Sequence, residues 1–162
     1  VALPTSVPHV IILKVEDEAY MREALAEAER AYEKGEIPVG AVAVKDGAII
    51  GRGHNQKEEL KDPTAHAEMT ALRQAGQALG GWRLTGVTLY STLEPCPMCA
   101  GALVMARAER LVYAAPDPKN GACGSVFDIA RLPKWTHRLE VEGGVLAEEA
   151  GVLLERFFSQ RR

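Results

Sequence analysis

A chain of 162 residues with 47% hydrophobic and 25% charged residues has the length and balance of one globular domain with its own core. The apolar run Val10-Ile11-Ile12-Leu13 is too short to cross a bilayer, and no basic segment precedes it, which argues against a membrane span or a secretory signal. Three cysteines, two of them in Cys96-Pro97-Met98-Cys99, make no disulfide framework and point to a reducing, cytoplasmic setting and to metal binding.

The net charge of −3 is unevenly spread: residues 1–36 hold four Lys/Arg against eight Asp/Glu, whereas residues 117–138 hold four against two, with His137 in addition. Arg156, Arg161 and Arg162 lie near the C-terminus. A basic zone on an acidic protein suits a polyanionic ligand as well as it suits ordinary solvated charge.

Residues 1–16 carry two prolines and no helical period, and read as a loosely held leader before a single domain over 17–162. From Asp17 to Lys34 the apolar residues Met21, Ala24, Leu25, Ala28, Ala31 and Tyr32 fall at helical spacing, and Gly35 ends the run. Two apolar segments follow, Val39 to Val44 and Ala48 to Ile50. The Asp46-Gly47 pair between them predicts a hairpin. Asp62-Pro63-Thr64 opens a second helix, with Met69, Leu72 and Leu79 as its inner stripe and Gly80-Gly81 at its end. A strand over Gly86 to Ser91 leads to a third helix from Pro97 to Arg107, apolar on most sides and so suited to burial or to a subunit interface. Leu111 to Tyr113 reads as a fourth strand, Pro116 to Trp135 as loop with a short helix, and Arg138 to Val141 as a fifth strand. Val145 to Ser159 closes the chain as an amphipathic helix. This order predicts a three-layer α/β/α sandwich with a mixed five-stranded sheet.

His66-Ala67-Glu68 and Pro95-Cys96-Pro97-Met98-Cys99 carry the chemistry. One imidazole and two thiols leave a fourth position open, the mark of a catalytic rather than a structural Zn²⁺. A carboxylate beside the imidazole can move protons there. On a helix, His66 and Glu68 would point roughly 200° apart, so both serve one site only at an open helix start. Cys96 and Cys99 share a face of a first turn, so two helix N-termini converge. A Cys-x-x-Cys alone also fits a redox pair, and a structural zinc site would want a fourth Cys or His, but neither His54 nor Cys123 sits in a second paired motif. The joint pattern favours one catalytic zinc per subunit, on His66, Cys96 and Cys99, with Glu68 as the catalytic acid and base.

These two motifs resemble the signature of the zinc nucleobase deaminases. Further stretches resemble the bacterial tRNA-specific adenosine deaminases within that superfamily: Glu36 to Ala41, Asp62 to Glu68, Thr92 to Cys96, Asp117 to Ser125, and Leu153 to Phe158. The resemblance implies a cytidine deaminase-like fold. It also implies hydrolysis of a wobble adenosine to inosine in a tRNA anticodon stem-loop, in which zinc-activated water attacks C6 while Glu68 relays protons. It would place Asn55 in hydrogen bonds to the target nucleotide, Val39 and Ala67 on the base pocket, and Asp117 and Lys119 beside neighbouring ribose or phosphate. Phe158 would stack on a flanking base, with Phe157 in the core. It further implies a homodimer. Thr136 stands where the family commonly has asparagine, and Cys123 where it has a small residue. Two alternatives compete: a guanine or cytosine deaminase of the same superfamily, and a non-catalytic zinc-containing RNA-binding module.

Overall fold

The structure, a computed structural model, describes residues 8–161. Helix α1 (His9–Glu33) is followed by the hairpin β1 (Gly40–Lys45) and β2 (Ala48–His54), then α2 (Lys57–Leu60) and α3 (Ala67–Leu79). Next come β3 (Thr88–Leu93), α4 (Pro97–Met105), β4 (Arg110–Ala115), a 3-10 turn at Ile129–Arg131, β5 (Glu140–Glu142) and α5 (Ala147–Ser159). The five strands form one sheet in the order β2-β1-β3-β4-β5. The first three strands pair antiparallel and the last three parallel, so the sheet is mixed as expected. Asp46 and Gly47 both take positive φ, the geometry that a tight hairpin turn of this kind requires.

Side chains alternate between the two faces with the strand period of two. Ala41, Ala43, Leu89 and Leu111 pack under α3 and α4 with Ala67, Ala71, Leu103 and Val104. Val42, Val44, Tyr90, Val112 and Ala114 pack with Met21 and Ala24 of α1 and Ala150 of α5. Two glycines let the layers approach. A Cβ on Gly40 would overlap the backbone of α1 at Ala24, and one on Gly53 would overlap Ala67 at the start of α3. The second contact fixes the helix start that carries the chemistry.

The structure corrects four expectations. Residues 9–16 are helical rather than loose leader, although Val10, Ile11 and Val15 are exposed, because an already packed helix extends one residue at a time at little cost. Residues 1–7 of the expected leader lie outside the described residues. The second long helix begins at Ala67 and not near Pro63, because Asp62 spends its carboxylate on the Thr64 amide and hydroxyl and closes a local turn instead. Its inner stripe is Ala67, Ala71, Leu72 and Ala75, while Leu79 is exposed. The four-residue α2 was not foreseen.

A buried ionic cluster ties α1 to the sheet. Arg110 on β4 donates to both carboxylate oxygens of Asp17 at 2.7 Å, and the Tyr90 hydroxyl donates to Asp17 at 2.8 Å. Replacing Asp17 with Ala removes two hydrogen bonds from the Arg110 guanidinium, which keeps Glu142 at 2.9 Å, and should cost about 1–3 kcal/mol in urea denaturation. Tyr90→Phe, which removes one hydrogen bond, should cost only about 1 kcal/mol.

Candidate active site

His66 and Cys96 occupy equivalent positions: each is the cap residue of a helix, of α3 and α4 respectively, with extended backbone. Neither side chain caps its own helix, so both are free to face each other. Pro97 is the first residue of α4, where its missing N–H costs nothing, and Cys99 follows one turn from Cys96. Strand β2 leads through α2 and a loop into α3, and β3 leads into α4, with β1 between the two strands in the sheet.

His66 Nδ1 lies 3.6 Å from Cys96 Sγ and 3.4 Å from Cys99 Sγ, and the three atoms lie within 4.8 Å of one another. Tetrahedral zinc with ordinary bond lengths sets nitrogen and sulfur ligands about 3.6 Å apart, so the residues present fit that ion. Donors from Cys99 and His66 hold Cys96 well below the usual thiol range. Cys99, which shares a proton with Cys96 and is buried, is pushed up. The Cys96 thiol and the Glu68 charge raise the His66 imidazole.

Glu68 sits in the first turn of α3 and is buried. Burial raises its pKa. Its Oε1 lies 3.4 Å from Ser91 Oγ, but that hydroxyl makes a shorter bond, 2.8 Å, to the Leu93 carbonyl. Its Oε2 is buried with no protein partner. A buried carboxylate oxygen left unpaired beside three metal-ligand atoms calls for a water or substrate group there.

A cavity of about 580 Å³ opens over this point. It is lined by His66, Glu68 and Cys96 and by all six expected substrate residues: Val39, Asn55, Ala67, Asp117, Lys119 and Phe158. Cys99 is fully buried at α4. Phe157 is buried and Phe158 is 46% exposed, the division expected, and the two rings meet edge to face. The Arg161 guanidinium lies over the Phe157 ring and donates to the Gly35 carbonyl after α1, while Arg162 lies outside the described residues.

Two expected contact residues are also occupied in forming the walls. Asn55 donates to the Ile37 carbonyl and accepts from the Lys57 amide, each at 3.2 Å, leaving one N–H and one lone pair for a ligand. Asp117 Oδ1 accepts from the amides of Lys119 and Asn120 and so shapes its own turn. Thr136 is exposed and outside the cavity, and Cys123 is a packed side chain against the Pro95 carbonyl, outside the group of ligand atoms.

Sequence reasoning missed two carboxylates, Glu36 and Glu94, both buried. Glu36 accepts from the amides of Glu58 and Glu59 and seats α2. Glu94 accepts from the amides of Asp117, Cys123 and Ser125 and from the Ser125 hydroxyl. Burial works against its charge, yet these donors hold it below the usual carboxylate range. Both partners are distant in sequence, so no local spacing signals them.

Comparison with known proteins agrees with this geometry. Residues 14–115 match the family model for the cytidine and deoxycytidylate deaminase zinc-binding region. The chain is 51% identical over 147 residues to the tRNA-specific adenosine deaminase of Bacillus subtilis (strain 168), covering 91% of each. It is 51% identical over 145 residues to that of Aquifex aeolicus (strain VF5), covering 90% of this chain and 95% of the relative. A solved structure from work on A-to-I editing by tRNA:A34 deaminases at the wobble position of transfer RNA superposes with a TM-score of 0.80. It is 46% identical, covering 83% of this chain and 98% of that one. With its ligand trio, its buried glutamate and these relatives, the chain belongs to the zinc-dependent cytidine and deoxycytidylate deaminase family, among the tRNA-specific adenosine deaminases.

Proposed function

We propose that this chain hydrolyses adenosine to inosine and ammonia at the wobble position of a tRNA anticodon loop. The observation that carries the reading is the unpaired Oε2 of buried Glu68 beside the His66, Cys96 and Cys99 donors, at the base of a cavity large enough for one splayed nucleotide. The relatives named for this activity support the choice of substrate.

His66, Cys96 and Cys99 would hold Zn²⁺, which when bound supplies Lewis-acid polarisation that brings the pKa of water toward neutrality. The chain's own residues do the rest. Glu68 takes one proton of the attacking water and hands it to adenine N1 as the C6–O bond forms. It then takes the second proton from the new C6 hydroxyl and delivers it to N6 as the C6–N6 bond breaks, releasing ammonia. Its elevated pKa suits a group that must both accept and donate near neutral pH. Val39, Ile37 and Leu93 give the base an apolar slot that excludes bulk water, and Asn55 offers its free N–H and lone pair to the nucleotide. Lys57 and Lys119 set positive charge at the mouth, where the RNA backbone would pass. Phe158, exposed at the cavity edge, offers a flat face to a flanking base.

The same reading extends to setting and assembly. Three free cysteines and the lack of any helix, among the described residues, long and apolar enough to cross a membrane support a cytoplasmic enzyme. One deaminase domain accounts for the described chain, α1 included. Exposed Trp82 and Met105, beside a shallow cavity lined by Met69, Leu72, Ala102 and Ala106 between α3 and α4, support a homodimer through that face.

Incubating the protein with an anticodon stem-loop bearing a wobble adenosine should yield inosine. No inosine, with turnover of free guanine or cytosine instead, would overturn the substrate assignment. Glu68→Gln should keep its zinc, measured by metal analysis, and lose at least about a thousandfold in kcat. Phe158→Ala should keep zinc and kcat while weakening stem-loop binding by about 1–3 kcal/mol. Sedimentation at micromolar concentration should show a dimer, and a monomer there would remove the proposed interface.

A further inference from the structure

Glu94 stands at the joint between β3 and the ligand-bearing start of α4, two residues before Cys96, and is 1% exposed. Every donor to its carboxylate comes from the segment 117–125. Oε1 accepts from the Asp117 amide at 3.2 Å and from the Ser125 hydroxyl. Oε2 accepts from the amides of Cys123 at 3.1 Å and Ser125 at 3.2 Å. The main chain reinforces the joint: the Glu94 amide donates to the Ala115 carbonyl, and the Ala122 amide donates to the Pro95 carbonyl. Gly121 passes so close that a Cβ there would overlap the carboxylate.

The segment that Glu94 gathers is irregular, formed of turns with one isolated bridge between Cys123 and Asp128. With no helix or sheet ladder of its own, its shape depends on the groups that satisfy its amides. Its first residues, Pro116 to Asn120, form one rim of the cavity. Glu94 borders the cavity, but four donors occupy its carboxylate, and it is absent from the group of ligand atoms.

Resting on the proposed deaminase reading, we infer that Glu94 is a positioning residue that sets the Pro116–Asn120 rim at a fixed distance from the metal ligands, and so governs how tightly the RNA is seated rather than how fast the base reacts. A carboxylate is required because four donors point inward. An amide of the same shape would turn an N–H₂ group toward N–H and O–H donors.

Steady-state kinetics on the wobble-adenosine stem-loop, with metal analysis of each sample, tests this. Glu94→Gln should bind zinc as the wild type does, keep kcat within about twofold, and raise KM roughly tenfold, the loss expected when hydrogen bonds to a buried charge fail. Ser125→Ala, which removes only the hydroxyl donor, should move KM in the same direction by roughly threefold. It decides the matter alone if the Gln variant does not fold. Wild-type KM in the variants, a fall in kcat at unchanged KM, or loss of zinc would each overturn the role assigned to Glu94. A wild-type protein that forms no inosine overturns the substrate reading instead, and with it the rim's function.

Discussion

His66 and Cys96 each begin a helix, and those two helix starts meet at one point. The rest of the structure depends on that convergence. A cap residue has extended backbone and a side chain free to leave the helix axis, so a ligand placed there can reach sideways to a ligand on the neighbouring helix. Both helices also aim their positive ends at the site, which favours thiolates and any anion that forms during reaction. The sheet supplies the spacing: β1 and β3 are neighbours, and Gly53 lets β2 press against Ala67 so that α3 starts where Cys96 can meet His66.

Around this point the chain divides its labour between two kinds of buried charge. Glu68 keeps an oxygen unsatisfied and is poised to react. Glu36, through Oε1, and Glu94, through both oxygens, accept amides from opposite sides of the cavity, α2 on one side and the 117–125 segment on the other. The Asp17, Tyr90 and Arg110 cluster sits away from the cavity and locks α1 to the sheet. A floor anchored in two helices and rims anchored by carboxylates hold the slot, whose mouth combines the irregular 117–120 turn with Lys57 of α2 and Phe158 of α5.

Much of this was legible in the linear chain. The apolar strand runs, the Asp46-Gly47 turn and the spacing of His66, Glu68, Cys96 and Cys99 are local patterns read by local rules, while the split between Phe157 and Phe158 comes with the family resemblance. What escaped is long-range or competitive. Asp62-Pro63-Thr64 has the chemistry of a helix cap, but the same oxygen closes a turn when the next helix is placed by packing elsewhere. Leu79 is the more apolar residue, yet Ala71 and Ala75 face the core because Gly51 and Gly53 bring β2 too close for anything larger. Glu94 and Ser125 lie far apart in the chain and look like ordinary polar residues until the loop folds back over β3.

Everything in the site turns on a single zinc held by one nitrogen and two sulfurs with one position left for the reacting water. Zinc K-edge X-ray absorption of the purified protein tests it most directly. The expected result is one zinc per chain with two sulfur neighbours at about 2.3 Å and two nitrogen or oxygen neighbours at about 2.0 Å. A shell of four sulfurs, a shell without sulfur, or a protein that binds no zinc would contradict it.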